Sequence, residues 1–260
     1  MVKCLLMQRW FGLSDPMLEE MLRDRLSFRR FVGLSLEDKT PDETTFVRFR
    51  QRLIKHGFVS TLFDKTLAIL KERGLVLEKG TLVDATLIEA PKGRSRKDDE
   101  GHTKDPCATY TKKHGRTYHG YKGHIATDTR GIVTDYRYDT AKVHDSQYMD
   151  ELTEVETTAV YADSAYMDQE RKARLEDQGV VCGIVERRVR GQKELTEQQK
   201  QHNRWVSGIR AIVEHPFAWI KQMGAARTRY RGLRKNAFDF ALYLVAYNWK
   251  RSFSLSPAAA

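Results

Sequence analysis

The sequence predicts an α/β protein in which an N-terminal all-helical module precedes a mixed β-sheet core flanked by helices. Apolar residues recur at helical spacing through the first 79 positions, and after Gly80 the period changes to the short apolar runs and alternation of strands. Beyond residue 145, strand-like and helix-like runs interleave. With 260 residues, 40% of them hydrophobic and 31% charged, the chain can bury a core, which excludes disorder and collagen.

The N-terminal elements follow from their start signals. Asp15-Pro16 offers an N-cap and a proline at the first helical position, with Glu19 and Glu20 in the first turn and Leu18, Met21, Leu22 and Leu26 at helical spacing. Thr40-Pro41-Asp42-Glu43 repeats the device as a capping box with a proline inside it, followed by Phe46, Phe49 and Leu53. A stripe of Phe63, Leu67 and Leu70 ends at Gly74, a C-cap. Arg23, Arg25, Arg29, Arg30, Arg48, Arg50 and Arg52 are expected on the outer faces of these helices, either as a solvated surface or as contacts to a polyanion.

After Gly80, residues 81–88 read as an apolar strand containing one acid, Asp84. Residues 91–117 are dense in Lys, Arg, Asp and Gly and read as an exposed loop. Residues 119–128 and 131–138 alternate and form a hairpin. A helix fits 145–154, a strand 158–163, a charged helix 168–178 and a strand 179–185. Three strands, helix, strand, helix, strand, helix is the order of a ribonuclease-H-like mixed sheet. A charged linker (187–201) leads to a long amphipathic helix carrying Trp205, Ile209, Ile212, Val213, Phe217 and Ile220, bent or broken near Pro216. Arg227, Arg229, Arg231, Arg234 and Lys235 then form a basic tract around Tyr230, and 237–249 is a final apolar helix. The expected division is a helical DNA-binding or accessory module at 1–79, a catalytic core at 80–222 and a basic segment with its closing helix at 223–260.

The apolar stretch 237–245 is shorter than the roughly 20 residues of a spanning helix and contains Asp239, so no membrane segment is expected. No signal peptide is apparent, and Cys4, Cys107 and Cys182 have the odd count and wide spacing of reduced thiols; the expected location is cytoplasmic. The formal charge of +10 is uneven. Residues 1–79 carry 15 Lys/Arg against 11 Asp/Glu, residues 80–203 carry 20 against 22, and residues 204–260 carry 10 against 2. Basic ends around a near-neutral middle suit a nucleic acid grasped by flanking elements.

The middle keeps its acids for another purpose. Asp84 inside one apolar strand and Asp163 at the end of another each cost several kcal/mol unless a cation compensates them. With Glu214, set among Ile212, Val213 and Phe217 on the long helix, they make a three-carboxylate site of hard oxygen donors suited to Mg²⁺ or Mn²⁺. Two such ions would clamp the attacking and leaving oxygens of a phosphodiester displacement. Arg210 lies four residues before Glu214 and Lys221 seven after it, on nearly the same helical face, where cations would hold phosphates. Lys112 and Lys113 are phosphate contacts or solvated charges, and Lys122 and His124 project from one face of their strand. His144, before the 145–154 helix, either lies near the metals or caps the helix. His102, Cys107, His114 and His119 fit no established zinc-finger spacing.

Several segments together resemble the DDE transposases of bacterial insertion sequences, in particular the insertion-sequence four/five superfamily. They are Val83-Asp84-Ala85-Thr86 with Ile88-Glu89-Ala90-Pro91, Gly120-Tyr121-Lys122-Gly123-His124, Val143-His144-Asp145-Ser146, Tyr161-Ala162-Asp163-Ser164-Ala165-Tyr166, and Arg210 to Phe217 with Lys221. The preamble 12–16 and 28–34 and the segment Arg229-Tyr230-Arg231-Gly232-Leu233 are similar to that family too. The resemblance implies that Asp84, Asp163 and Glu214 are the metal-binding catalytic triad and that Arg210 and Lys221 contact DNA. It also implies double-stranded DNA partners, at element ends and target, and a homodimer in the DNA complex, associated with the nucleoid when bound. Lys112, Lys113, Lys122, Arg229, Arg231 and Arg234 complete the expected DNA-binding set. The family places a tyrosine three residues before the arginine, where this chain has Ser207, and its relatives tend to have further residues before this Met1, which leaves open whether the chain is truncated or complete. The alternatives are an inactive relic that only binds DNA and a plain metal-dependent nuclease.

Overall fold

The computed structural model describes residues 1–77, 79–92, 104–113, 115–153, 157–188 and 191–256. Five helices come first: α1 (Val2–Trp10), α2 (Asp15–Asp24), α3 (Leu26–Val32), α4 (Glu43–Lys55) and α5 (Phe58–Glu72). Pro16 sits in the first turn of α2, whose cap is Ser14, the hydroxyl accepting from the Met17 N–H at 3.3 Å. The cap of α4 is Asp42 rather than Thr40: its carboxylate accepts from the Thr45 N–H at 2.6 Å. Thr40 is committed elsewhere, its hydroxyl accepting from Arg29 at 2.8 Å.

Two arginines expected on outer faces are internal struts. Arg29 is 7% exposed and donates to the backbone oxygens of Ser35, Leu36 and Asp38. Arg50 is 4% exposed and grips the Asp15 carboxylate with both terminal nitrogens, tying α4 to α2. Burying a guanidinium requires that its donors be satisfied, and both sites do so.

Six strands follow: β1 (Thr81–Glu89), β2 (Thr109–Lys113), β3 (Arg116–Thr127), β4 (Val133–Thr140), β5 (Ala159–Ala162) and β6 (Val181–Ile184). They form one sheet in the order β2-β3-β1-β5-β6, with β4 also on β3. β3 is antiparallel to β1, β2 and β4, whereas β5 is parallel to β1 and to β6. Apart from β2, this is the mixed sheet that the element order predicts. β2 lies in the segment expected to be loop. Its sequence Thr-Tyr-Thr-Lys-Lys has no apolar face to betray a strand, and its pairing with β3, with Tyr110 against His119 at 4.6 Å between ring centroids, supplies the order.

The 145–154 helix is a 3₁₀ turn (Asp145–Tyr148) running into the single turn α6 (Met149–Leu152). Helix α7 (Gln169–Asp177) is capped by Asp168. Helix α8 (Glu197–Ile220) starts within the expected linker because Thr196 and Gln199 form a capping box. It runs through Pro216, since one missing N–H is outweighed by the burial of Val213, Phe217 and Ile220, and it ends in a wider turn where Gly224 has φ 111°. Helix α9 (Leu233–Leu255) closes the chain.

One sheet face packs Leu82, Ile88, Ile125 and Tyr161 against Val213 and Phe217 of α8 and Phe240 and Leu244 of α9, and α9 is backed in turn by α1 and α5. The other packs Val83, Ala126, Val160 and Ala162 against Met149, Leu152, Tyr166 and Leu175. Arg9 and Asp239, both buried, pair across α1 and α9. No helix among the described residues is long and apolar enough to cross a membrane.

Candidate active site

β1 and β5 run side by side with Val83 opposite Ala162. Side chains alternate along a strand, so Asp84, two positions after Leu82, and Asp163, two after Tyr161, emerge on the face that α8 covers. β5 ends at Ala162 while β1 continues to Glu89, which leaves the two acids at the lip where the sheet opens. Asp84 accepts the Ala85 N–H at 2.8 Å and Asp163 the Ser164 N–H at 2.6 Å.

Arg210 of α8 joins them: one terminal nitrogen is 4.0 Å from Asp84 Oδ2 and the other 3.8 Å from Asp163 Oδ1. Burial pushes the Asp84 carboxyl up to about 6, against the opposing pull of the Ala85 N–H and Arg210, with Asp163 adding to the rise. Lys113 and Lys221 also act on this acid, and partial burial together with Lys113 draws the Lys221 ammonium below its ordinary value.

Glu214, one turn beyond Arg210, is exposed on α8. Among the described residues, no group of three or more His, Cys, Asp or Glu side chains is arranged to hold a metal ion. Asp84 and Asp163 nonetheless suit a divalent cation as two of its ligands. They are hard oxygen donors on one face, and Arg210, which lies between them, stands beyond hydrogen-bonding reach of both.

Beside Asp163 opens a cleft of about 270 Å³, lined among others by Thr86, Lys112, Lys113, Lys122, His144 and Asp145. It thus gathers three of the predicted phosphate-binding lysines. Lys122 is held within it, donating to Val143 O at 2.8 Å and ion-paired with Asp145 Oδ1 at 2.8 Å. His144 caps the 3₁₀ turn, its Nδ1 accepting from the Ser146 N–H at 3.3 Å. In the basic tract Arg229 donates to Leu13 O, Arg234 reaches Ile54 O at 3.3 Å, and Arg231 is exposed. Ser207 is exposed one turn before Arg210. Of the histidines and cysteine weighed for zinc, Cys107 is exposed, His119 is buried, and His102 and His114 lie outside the described residues.

Two residues of this region carry no assigned role from sequence. Asp145 is the ion-pair partner of Lys122, which the strand-to-turn spacing alone does not show. Tyr166 is 1% exposed, and its hydroxyl has no hydrogen-bond partner among the described residues. Burial and the charges of Asp145, Asp84 and Asp163 raise its pKa.

Residues 77–249 match the family described as Transposase DDE domain, and residues 1–52 match the family described as Transposase domain (DUF772). The chain therefore belongs to the transposase DDE domain family and is a transposase. The fold is similar to that in a piggyBac transposase synaptic complex with hairpin DNA, at 11% identity and a TM-score of 0.51, covering 100% of this chain and 67% of that one. A Mos1 strand transfer complex also matches, at 10% identity and a TM-score of 0.24, over 84% of this chain and 75% of that one.

Proposed function

We propose that this transposase binds the terminal inverted repeats of its own insertion sequence, cuts at the element ends and joins the freed 3′-hydroxyl to target DNA. The observation that carries the reading is the placement of Asp84 and Asp163 on one face of adjacent parallel strands beneath Arg210. Asp84 and Asp163 would hold Mg²⁺ or Mn²⁺, as one or two ions, and Glu214 would complete the ligand set from α8. Metal bound there supplies Lewis-acid stabilisation of the phosphoryl oxygens and lowers the pKa of a bound water.

The protein's own groups position the DNA. Lys113 and Lys221, which flank Asp84, hold phosphates on either side of the scissile bond, and Lys112 extends this grip along the cleft. Arg210 offers a planar fork suited to a phosphate. Lys122, fixed by Asp145, contributes a steady positive field rather than a mobile contact. Arg231, Arg234 and the exposed arginines of the N-terminal helices grip duplex away from the chemistry, and Arg229 supports that surface from its bond to Leu13. In this reading the protein acts as a homodimer on nucleoid DNA in the cytoplasm.

The test is to incubate the full chain and Mn²⁺ with a duplex carrying the ends of the encoding element and a supercoiled target. Nicks at the element boundary bearing 3′-hydroxyls, and products joined to the target, are expected. Cuts scattered without regard to the boundary would instead indicate a plain nuclease.

A further inference from the structure

Arg210 stands between two carboxylates without bonding well to either. Its approaches of 3.8 Å to Asp163 and 4.0 Å to Asp84 exceed the roughly 2.7–3.2 Å of an N–H···O bond. Its Nε is buried and has no hydrogen-bond partner among the described residues. Elsewhere in the protein arginines next to acids do otherwise: Arg50 takes both oxygens of Asp15, and Arg171 reaches both oxygens of Asp150 at 3.0 and 3.3 Å. The guanidinium at 210 is therefore held by charge and position, with its donors left for something else. Two carboxylates on adjacent strands repel each other, and the cation between them offsets that repulsion.

We infer that Arg210 is the built-in counterion of Asp84 and Asp163 in the free protein, competing with the divalent cation for the two carboxylates until a DNA phosphate draws its guanidinium away. The inference rests on the reading above that these acids hold the cation. It makes metal loading and DNA binding mutually dependent. Phosphate capture of Arg210 frees the acids for metal, and by linkage metal strengthens DNA binding by the same factor. A transposase built this way loads metal poorly before it finds DNA.

The test is a titration of the DNA-free full chain with Mn²⁺, reading free ion by electron paramagnetic resonance, so that no catalytic turnover is involved. Arg210→Gln should bind Mn²⁺ more tightly than wild type, on the order of tenfold, the factor that 1.4 kcal/mol of lost competition gives. Arg210→Lys, which keeps a charge but cannot span both carboxylates, should also bind more tightly than wild type, by less, and it serves if the glutamine variant does not fold. Lys113→Gln removes a neighbouring charge without vacating the space between the acids and should change affinity least. Equal or weaker Mn²⁺ binding by both Arg210 variants would overturn the counterion role, as would a Lys113→Gln effect as large as that of Arg210→Gln. Asp84→Asn separates this from the underlying reading. If it abolishes Mn²⁺ binding while the Arg210 variants do not tighten it, only the counterion role fails. If it leaves wild-type Mn²⁺ binding unchanged, the acids do not hold the ion and both fail.

Discussion

The ring of Phe240 closes over Gly123, so that a Cβ at position 123 would lie 2.4 Å from Phe240 Cζ. Phe240 is 2% exposed, packed within the core. Three residues earlier, a Cβ at Gly120 would meet Ile88 O at 2.1 Å. Both glycines of Gly120-Tyr121-Lys122-Gly123-His124 are therefore packing requirements, one set by the neighbouring strand and one by α9.

Gly123→Ala should accordingly lower the free energy of unfolding by about 1–3 kcal/mol, the usual cost of overpacking a filled core. Urea denaturation checks this, and a midpoint equal to that of wild type would contradict the packing account.

The Asp15–Arg50 pair carries a pH signature. Burial alone would raise the Asp15 carboxyl, but hydrogen bonds from Arg50 and Gln8 outweigh it and hold it below the ordinary value. A carboxyl depressed on folding contributes stability that is present above its unfolded pKa of about 3.9 and lost as pH falls through the folded pKa. Asp15→Asn should thus cost stability at pH 6, with the cost shrinking as pH falls below about 4. A cost that stays constant from pH 6 to pH 3 would show that the pair's charge plays no part.

The basic tract divides by what its arginines touch. Arg231 and Arg229 are both exposed, but Arg229 is bonded to Leu13 O and lies near Asp15. Arg231→Ala should flatten the salt dependence of DNA binding by about 0.9 in log–log slope if it contacts one phosphate. Arg229→Ala should chiefly lower the melting temperature. The reverse pattern would move the DNA grip to the Leu13 side.

Much of this was readable in the sequence because local chemistry determines it. Pro16 and Gly74 mark helix ends wherever they occur, and Asp84 and Asp163 were conspicuous as acids in apolar strands. What was not readable depends on partners distant in sequence. Arg29 and Arg50 look like any exposed helical arginine until Ser35 and Asp15 are brought beside them. β2 carries no apolar face and exists through its pairing with β3. The helix spacing put Arg210 and Glu214 on one face, and the fold adds what spacing does not encode, the reach of Arg210 toward Asp84 and Asp163.

In the proposed reaction Asp84 and Asp163 hold the cation that cuts DNA, while other residues hold the DNA. Asp163→Asn keeps the side-chain shape and removes the charge. The most direct measurement is Mn²⁺-dependent nicking of element-end duplex by wild type and Asp163→Asn, with binding of the same duplex read in parallel. Nicking should fall by at least about a hundredfold, as loss of several kcal/mol of transition-state stabilisation requires, while binding read without Mn²⁺, where metal makes no contribution, persists or tightens because an acid facing phosphates is gone. Undiminished nicking by Asp163→Asn, with binding intact, would contradict the claim.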